Sequence, residues 1–383
     1  MAVVRNSAEF AECKALVVDD MLPNRELAKA LLTTMGIGNL TFAADGVEAL
    51  EAVAADRPDM VVLDIMMPRM DGFAFLKHFR AMPDCEDIPV LVTTALDTPV
   101  DRAKAFDSGA TDYIAKPIDH RELKARVSVH LRNRLLVRDL KGYRDRLDQD
   151  LKVATAMQAA LLPSVARMVE LKARYGIDMA AMVRPWSEVS GDLWGWLPVD
   201  TNRFAVWLAD FSGHGVAAAI NTFRLHLILQ GGPLENPSAV MTRLNETLAD
   251  VLPRGQFAAM TYAVCDVRKG KLVFASAGAT APVASSPGNG AGLHPAAALP
   301  LGIRKDTHYA NVTLPFPPGS DFLLYSDGLS EATGPDGQPV GEDGVLAKFE
   351  RLRVRNDVAA NLSSLIEDGL IPSDDLSAVW LSR

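Results

Sequence analysis

Two groups of carboxylates stand where packing alone gives the chain no use for them. In the first, Asp19 and Asp20 follow the apolar run KALVV (14–18), and Asp64 closes DMVVLD (59–64). Thr93 and Thr94 close IPVLVTT (88–94), and Lys116 and Pro117 follow TDYIA. These runs alternate with helical stretches, which implies a parallel sheet covered on both faces. The C-terminal ends of such strands share one edge, so the polar residues converge. A strand-end aspartate alone usually makes a turn or a cap; polar ends on several strands of one edge describe a site. Three carboxylates and an ammonium become compatible around Mg²⁺, which takes a few carboxylates, waters and a phosphate oxygen. Asp64 is then placed as a nucleophile toward a phosphoryl group.

The second group lies in VSGDLWGW (189–196), LADFSGHGVAAA (208–219), LLYSDGLSEA (323–332) and SDDLSAVWL (373–381). Each puts an aspartate at a strand end or tight turn, and the adjoining glycines let backbone approach an ion closely. Several shared carboxylates can hold two divalent ions about 3.5–4 Å apart and activate a bridging water against a phosphate. Hard oxygen donors suit Mg²⁺ or Mn²⁺. His214 has no His or Cys partner at metal-ligand spacing, so the expectation for it is a helix-start or supporting role and not zinc.

The elements that must position these groups fall into three regions. Over 14–130 the strand candidates are 14–18, 40–44, 59–64, 88–94 and 111–116, with helices such as 24–35 and 47–55 between them. That is a doubly wound α/β domain with a five-stranded parallel sheet. A helix then opens at Asp119, with Glu122 at capping-box spacing, and runs to about Leu162 before Pro163. Within the linker 131–163, Leu140, Leu147, Ala154 and Leu161 recur every seven residues, with Leu136, Tyr143 and Met157 between them. This resembles a coiled-coil seam, weakened by Asp150 on the seam and by Gly142 in the helix; the helix is either a paired, adjustable linker or one packed on its own domain. Over 164–383 the runs 203–210, 259–267, 271–278, 321–328 and 377–382 read as strands, with helices over 215–230 and 238–252. The pattern is α+β with much antiparallel sheet, and the Ala/Pro/Gly/Ser-rich 284–300 reads as a mobile loop.

Composition bounds what this can be. A chain of 383 residues with 49% apolar and 23% charged residues is globular, and two domains are expected. A formal net charge of −9 argues against nucleic acid as a partner. No apolar run reaches membrane-span length, and the first residues lack a signal-peptide core. Three scattered cysteines predict reduced thiols in a cytoplasmic protein.

On these motifs, residues 14–130 resemble the receiver domain of two-component response regulators. The resemblance implies that Asp64 is the phosphoacceptor, and that Asp19, Asp20, Asp64 and the carbonyl of Met66 bind Mg²⁺. It also implies that Thr94 and Lys116 contact the phosphoryl group and that Tyr113 is the switch aromatic. Residues 150–383, entered through AMQAALLP (156–163), resemble the metal-dependent Ser/Thr protein phosphatase (PPM) family in its SpoIIE/RsbU-like branch. That implies a β-sandwich flanked by helices holding two Mn²⁺ or Mg²⁺. Asp210 would bridge both ions, the carbonyl of Phe211 would add a ligand, and Asp192, Asp327 and Asp374 would complete the set, with Asp374 ranked above Asp375. Two positions depart from the branch: Gly195 stands where an Asp is usual, and Ala279 where the His of an AGH turn is usual.

The combined expectation is a response regulator whose phosphorylated Asp64 controls a phosphoserine/phosphothreonine protein phosphatase. The resemblance implies a phosphorylated anti-sigma-factor antagonist of STAS fold as substrate, within a partner-switching stress pathway. The phosphodonor would be a sensor histidine kinase or phosphotransfer protein, and the linker helix suggests a homodimer. The alternative is a non-catalytic adaptor that binds a sigma factor or its regulator; retention of the aspartates argues for the enzyme.

Overall fold

The computed structural model describes residues 9–95, 99–187, 189–213, 215–232, 234–335, 337–354, 357–367 and 369–383. His214 therefore lies outside the described residues. The chain divides into two compact units, Met1–Arg146 and Leu147–Arg383. That division falls inside the segment 131–163.

The first unit runs β1 (Lys14–Val18), α1 (Leu22–Thr34), β2 (Asn39–Ala43), α2 (Gly46–Ala55), β3 (Met60–Asp64), α3 (Gly72–Arg80), β4 (Val90–Thr94), α4 (Pro99–Asp107), β5 (Asp112–Ala115) and the start of α5 (His120–Ala159). The strands pair in parallel in the order β2-β1-β3-β4-β5. β3 and β4 are buried along their whole length, as continuous apolar runs covered on both faces must be. One face packs Leu16, Val61, Leu63 and Val92 against Phe75 and Phe79; the other packs Val17, Val62 and Ile114 against Leu32, Leu123 and Val127. Chain order reverses between β1 and β3, so the crevice at their C-terminal ends is where a ligand is expected.

Helix α5 opens as its sequence implies, with the Asp119 carboxylate accepting from the Arg121 and Glu122 amides at 2.7 and 3.0 Å. The box is not closed, because the Glu122 carboxylate turns instead to Arg126 at 2.9 Å. From Leu136 to Leu147 the predicted seam is uncovered: Leu136, Leu140, Tyr143 and Leu147 are 46–70% exposed. Nearby, Arg138 bonds Asp59 at 3.0 Å and Lys141 bonds Asp87. The seam ends earlier than its heptads predict. The helix stops at Ala159, and Leu161 packs against the core of the second unit, which removes it from the helical stripe.

In the second unit come α6 (Val165–Tyr175), β6 (Asp178–Arg184), β7 (Asp192–Pro198), β8 (Arg203–Phe211), α7 (Val216–Gln230), α8 (Pro237–Val251), β9 (Ala258–Asp266), β10 (Lys271–Ala277), β11 (Val283–Ser286), β12 (Asn289–Leu293), β13 (Val312–Pro315), β14 (Asp321–Tyr325), α9 (Asp327–Ser330), α10 (Gly341–Leu352), α11 (Val358–Glu367) and β15 (Leu376–Ser382). Two antiparallel sheets, β13-β10-β9-β8-β7 and β12-β11-β14-β15-β6, face each other over Trp196, Phe204, Phe274, Phe322 and Val379. Helices α7 and α8 cover the outer face of one sheet, and α10 and α11 the outer face of the other. This is the expected sandwich flanked by helices.

The segment 284–300 is not a loop throughout: β11 and β12 form a hairpin within it, pairing Val283 with Leu293. Its small residues suit close strand pairing, which a composition-based reading takes for loop. Among the described residues, no helix is long and apolar enough to cross a membrane.

Candidate phosphoacceptor and metal sites

In the first unit the four strand ends meet. Ligand oxygens of Asp19, Asp20 and Asp64 lie within 4.8 Å of one another. Asp19 and Asp64 are buried and Asp20 is exposed, so the group opens to solvent on one side. Lys116 Nζ sits 2.8 Å from Asp64 Oδ2 and 3.0 Å from Asp19 Oδ2. The other Asp64 oxygen accepts the Ile65 amide at 2.8 Å. Asp19 is held by the Asn24 carboxamide at 3.0 Å and the Met21 amide at 2.9 Å. Burial raises the Asp64 pKa, Lys116 opposes this, and the charge of Asp19 adds to it, leaving the carboxyl above its usual range. Burial works against the charged Lys116, but its bonds to Asp64 and Asp19 outweigh that and hold its pKa up. A carboxylate trio with one ammonium retains an excess of negative charge, which suits Mg²⁺.

Thr94 is buried at the end of β4, whose register sets Thr93 beside Asp64 and Thr94 beside Ala115. Tyr113 is half-buried one strand further out, its ring edge-on to Phe106 at 6.0 Å and 4.9 Å from the Arg102 guanidinium. The Met66 side chain is exposed in the loop after Asp64. That loop is tied to the start of α2 by Arg69, which pairs with Asp45 and Glu48.

In the second unit, β7 and β8 set Asp192 directly opposite Asp210. Asp192 is fully buried, and neither of its carboxylate oxygens makes a hydrogen bond of ordinary geometry, although the nearby Ser377 and Ser326 side chains oppose the rise in its pKa. Burial, and then the charge of Asp210, push its pKa well up. Asp210 is pushed up to about 7, by burial first and then by Asp327, Asp374 and Asp375. Asp327, the first residue of α9, is raised by burial and by the charges of Glu331 and Asp374. Two buried oxygens facing further carboxylates cannot stay ionised without cations. Among the described residues, Asp19, Asp20 and Asp64 are the group whose ligand oxygens all lie within 4.8 Å of one another.

Asp374 and Asp375 separate by their partners. Asp375 is buried, and its two oxygens accept the Trp186 amide at 2.7 Å and the Gly191 amide at 2.6 Å. Its carboxylate therefore fastens the 186–191 segment. Asp374 accepts the Asp375 amide at 2.8 Å, and its charge reaches both Asp210 and Asp327. The glycines pack as a close site requires. A Cβ on Gly328 would fall 2.1 Å from the Asp375 carbonyl oxygen, and one on Gly191 would fall 2.8 Å from the Phe211 carbonyl oxygen. A cavity of about 50 Å³ beside Asp210 and Asp327 is lined partly by Ala279. At Gly195 a Cβ would fall 2.4 Å from the Trp207 ring, so that aromatic occupies the place of a side chain.

Sequence reasoning assigned no role to Gln158, which lies at the end of α5 within the second unit. Its carboxamide donates to the Ser190 carbonyl at 2.6 Å and to Thr222 Oγ1 at 3.3 Å, and accepts the Ser190 amide at 3.1 Å. Ser190 Oγ in turn accepts the Asp192 amide at 3.0 Å. The signal was a glutamine inside an otherwise apolar AMQAALLP segment.

Both units have counterparts among known proteins. Residues 15–128 match the response regulator receiver domain, and residues 200–383 match the family of stage II sporulation protein E (SpoIIE). The response regulator MprA of Mycobacterium ulcerans is 44% identical over 126 residues, covering 33% of this chain and 53% of that protein. MprA of Mycobacterium leprae is 45% identical over 119 residues, covering 31% of this chain and 51% of that protein. The chain thus spans about half the length of the curated relatives it matches. The SiaA-PP2C domain of Pseudomonas aeruginosa superposes with a TM-score of 0.54 at 22% identity, covering 63% of this chain and 98% of that domain, a likeness of fold.

Proposed function

We propose that this chain, a response regulator receiver domain followed by a SpoIIE-type domain of PP2C fold, is a phosphorylation-controlled protein phosphatase that acts on phosphoserine and phosphothreonine. The observation that carries this reading is Asp192. Both its oxygens are buried without a hydrogen bond of ordinary geometry and face Asp210, with Asp327 and Asp374 beyond. In this reading Asp210, Asp192, Asp327, Asp374 and the Phe211 carbonyl would hold two Mn²⁺ or Mg²⁺, with Asp210 shared between them, and Asp375 holds the loop that presents Gly191 and Asp192. Bound there, the ions would polarise the phosphoryl group and lower the pKa of the attacking water.

In the receiver, Asp64 accepts the phosphoryl group from a sensor histidine kinase or phosphotransfer protein. Asp19, Asp20, Asp64 and the Met66 carbonyl would hold Mg²⁺ there. Lys116 is already on Asp64 Oδ2 and can follow the transferred charge. A new dianion draws Thr94 inward and lets Tyr113 fill the space it leaves. We read 14–130 as the receiver, 131–163 as the linker and 164–383 as the phosphatase. In this cytoplasmic reading the linker helix pairs with a second copy, and the substrate is a phosphorylated STAS-type anti-sigma-factor antagonist. A non-catalytic adaptor would have no need of the buried Asp192 carboxylate.

The test is hydrolysis of p-nitrophenyl phosphate with Mn²⁺, with and without beryllofluoride. Turnover that depends on Mn²⁺ and changes with beryllofluoride in the wild type but not in Asp64→Asn supports the proposal. No turnover at any Mn²⁺ concentration overturns it.

A further inference from the structure

We propose that the cleft between the α5–α6 turn and strand β7 is a binding site for a small monocarboxylate with an aromatic or branched aliphatic body. The cleft lies wholly within the second unit and measures about 330 Å³, within the range of small-molecule sites. Its floor is Gly195 with the Trp207 ring lying against it, and Leu161, Leu197 and Leu229 supply apolar wall. These surfaces fit the body of the ligand.

The polar groups fit its head. Arg167 stands at the cleft with its guanidinium 4.2 Å from the centre of the Trp196 ring. Glu170 takes Nη1 at 2.5 Å, which leaves the other guanidinium edge for a carboxylate. His226 and Gln230 meet at 2.8 Å, Nε2 to Nε2; with Nε2 accepting from the amide, the imidazole proton sits on Nδ1. Burial lowers the His226 pKa. No Asp or Glu lines the cleft, and the first turn of α6, whose dipole end favours anions, borders it at Ser164. The Trp196 and Trp207 rings complete the walls. One unpaired guanidinium edge, no lining carboxylate and an apolar floor select an anionic head on an apolar body.

The site is 160–164 on one side, the turn that joins α5 to α6, and Gln158 lies just before it. A ligand there would act on the chain that leads to Ser190 and Asp192.

The experiment uses the full chain, with phenylacetate as probe and phenylacetamide as its neutral counterpart. Binding is read from the indole N–H resonances of Trp196 and Trp207. Phenylacetate is expected to shift both saturably. Arg167→Met, which keeps the stem over Trp196 and removes the charge, should weaken binding about tenfold, the size of one charge-assisted hydrogen bond. His226→Trp, a partly exposed position that fills the cleft, should abolish it while the fold is retained by circular dichroism. Absence of a saturable shift in the wild type overturns the site. Equal binding of phenylacetamide overturns the anionic class, and undiminished binding in both variants overturns the location.

Discussion

Gln158→Ala is the sharpest perturbation of the route from helix to metal site. The substitution removes three contacts in a buried setting: Nε2 to the Ser190 carbonyl, Nε2 to Thr222 Oγ1, and the Ser190 amide to Oε1. The Ser190 carbonyl and amide both lose their partner. A buried polar group left unpaired costs about 1–3 kcal/mol, so two together cost about 3 kcal/mol after partial relaxation. For a unit of this size each kcal/mol moves the melting midpoint by about 2–4 °C, which gives a fall of roughly 6–12 °C in the metal-free protein. Because Ser190 Oγ holds the Asp192 amide, the Asp192 carboxylate loses its fixed position as well. Apparent Mn²⁺ affinity should therefore drop about tenfold or more, equivalent to about 1.4 kcal/mol of the same energy. The assay is thermal melting with and without EDTA, together with a Mn²⁺ titration followed by calorimetry. Lys152→Ala, an exposed position on the same helix outside the predicted seam, is the control and should change neither. If Gln158→Ala melts within about 2 °C of wild type and binds Mn²⁺ equally well, the helix end does not support the metal loop and the reasoning fails.

Three other perturbations follow from the geometry. Asp210 has its pKa raised to about 7 in the folded, metal-free protein, while its ordinary value is 3.8. A raised carboxyl pKa stabilises the fold at low pH and withdraws that stability as pH rises from the ordinary value through the raised one. EDTA-treated protein should thus melt lower at pH 7.5 than at pH 5.5, and Mn²⁺ should restore most at pH 7.5; an EDTA-treated melt that rises with pH contradicts this. Gly328→Ala places a Cβ 2.1 Å from the Asp375 carbonyl, so phosphatase activity should be lost and the melting midpoint lowered, whereas Gly142→Ala meets nothing within 4 Å and should strengthen the helix by about 1 kcal/mol. Gly142→Ala combined with Asp150→Leu should stabilise pairing of α5 and leave activity little responsive to beryllofluoride; an unchanged response with unchanged mass in solution would make the helix a passive tether.

Much of the receiver was legible because its signals are periodic and local. Apolar runs covered on both faces end in Asp20, Asp64, Thr94 and Lys116, and parallel topology brings those ends to one edge. The second unit was legible in its motifs more than in its elements. The aspartates were visible, but strands β6, β7 and β13 were not, since DMAAMVR, DLWGWLP and VTLP carry no clear alternation of their own. The division of labour between Asp374 and Asp375 depends on which neighbouring amides arrive, from residues 184 and more positions away in sequence, and no local pattern encodes that. Leu161 was misread because heptad spacing continues past Ala159, where the backbone no longer does. Gly195 was visible only as a departure; its partner Trp207 is set by the β7–β8 register.

The most direct measurement is the Mn²⁺ dependence of phosphate release from a phosphoserine peptide by the wild type and by Asp210→Asn, side by side. Asp210 is opposite Asp192 and feels the charge of Asp327 and Asp374, so its loss should disable both ions at once. The account predicts saturable Mn²⁺ activation of the wild type, no activity in EDTA, and a loss of at least about a thousandfold in Asp210→Asn, on the scale of removing a central electrostatic group from a hydrolytic site. Release that persists in EDTA, or an Asp210→Asn variant as active as the wild type, would contradict a two-metal phosphatase.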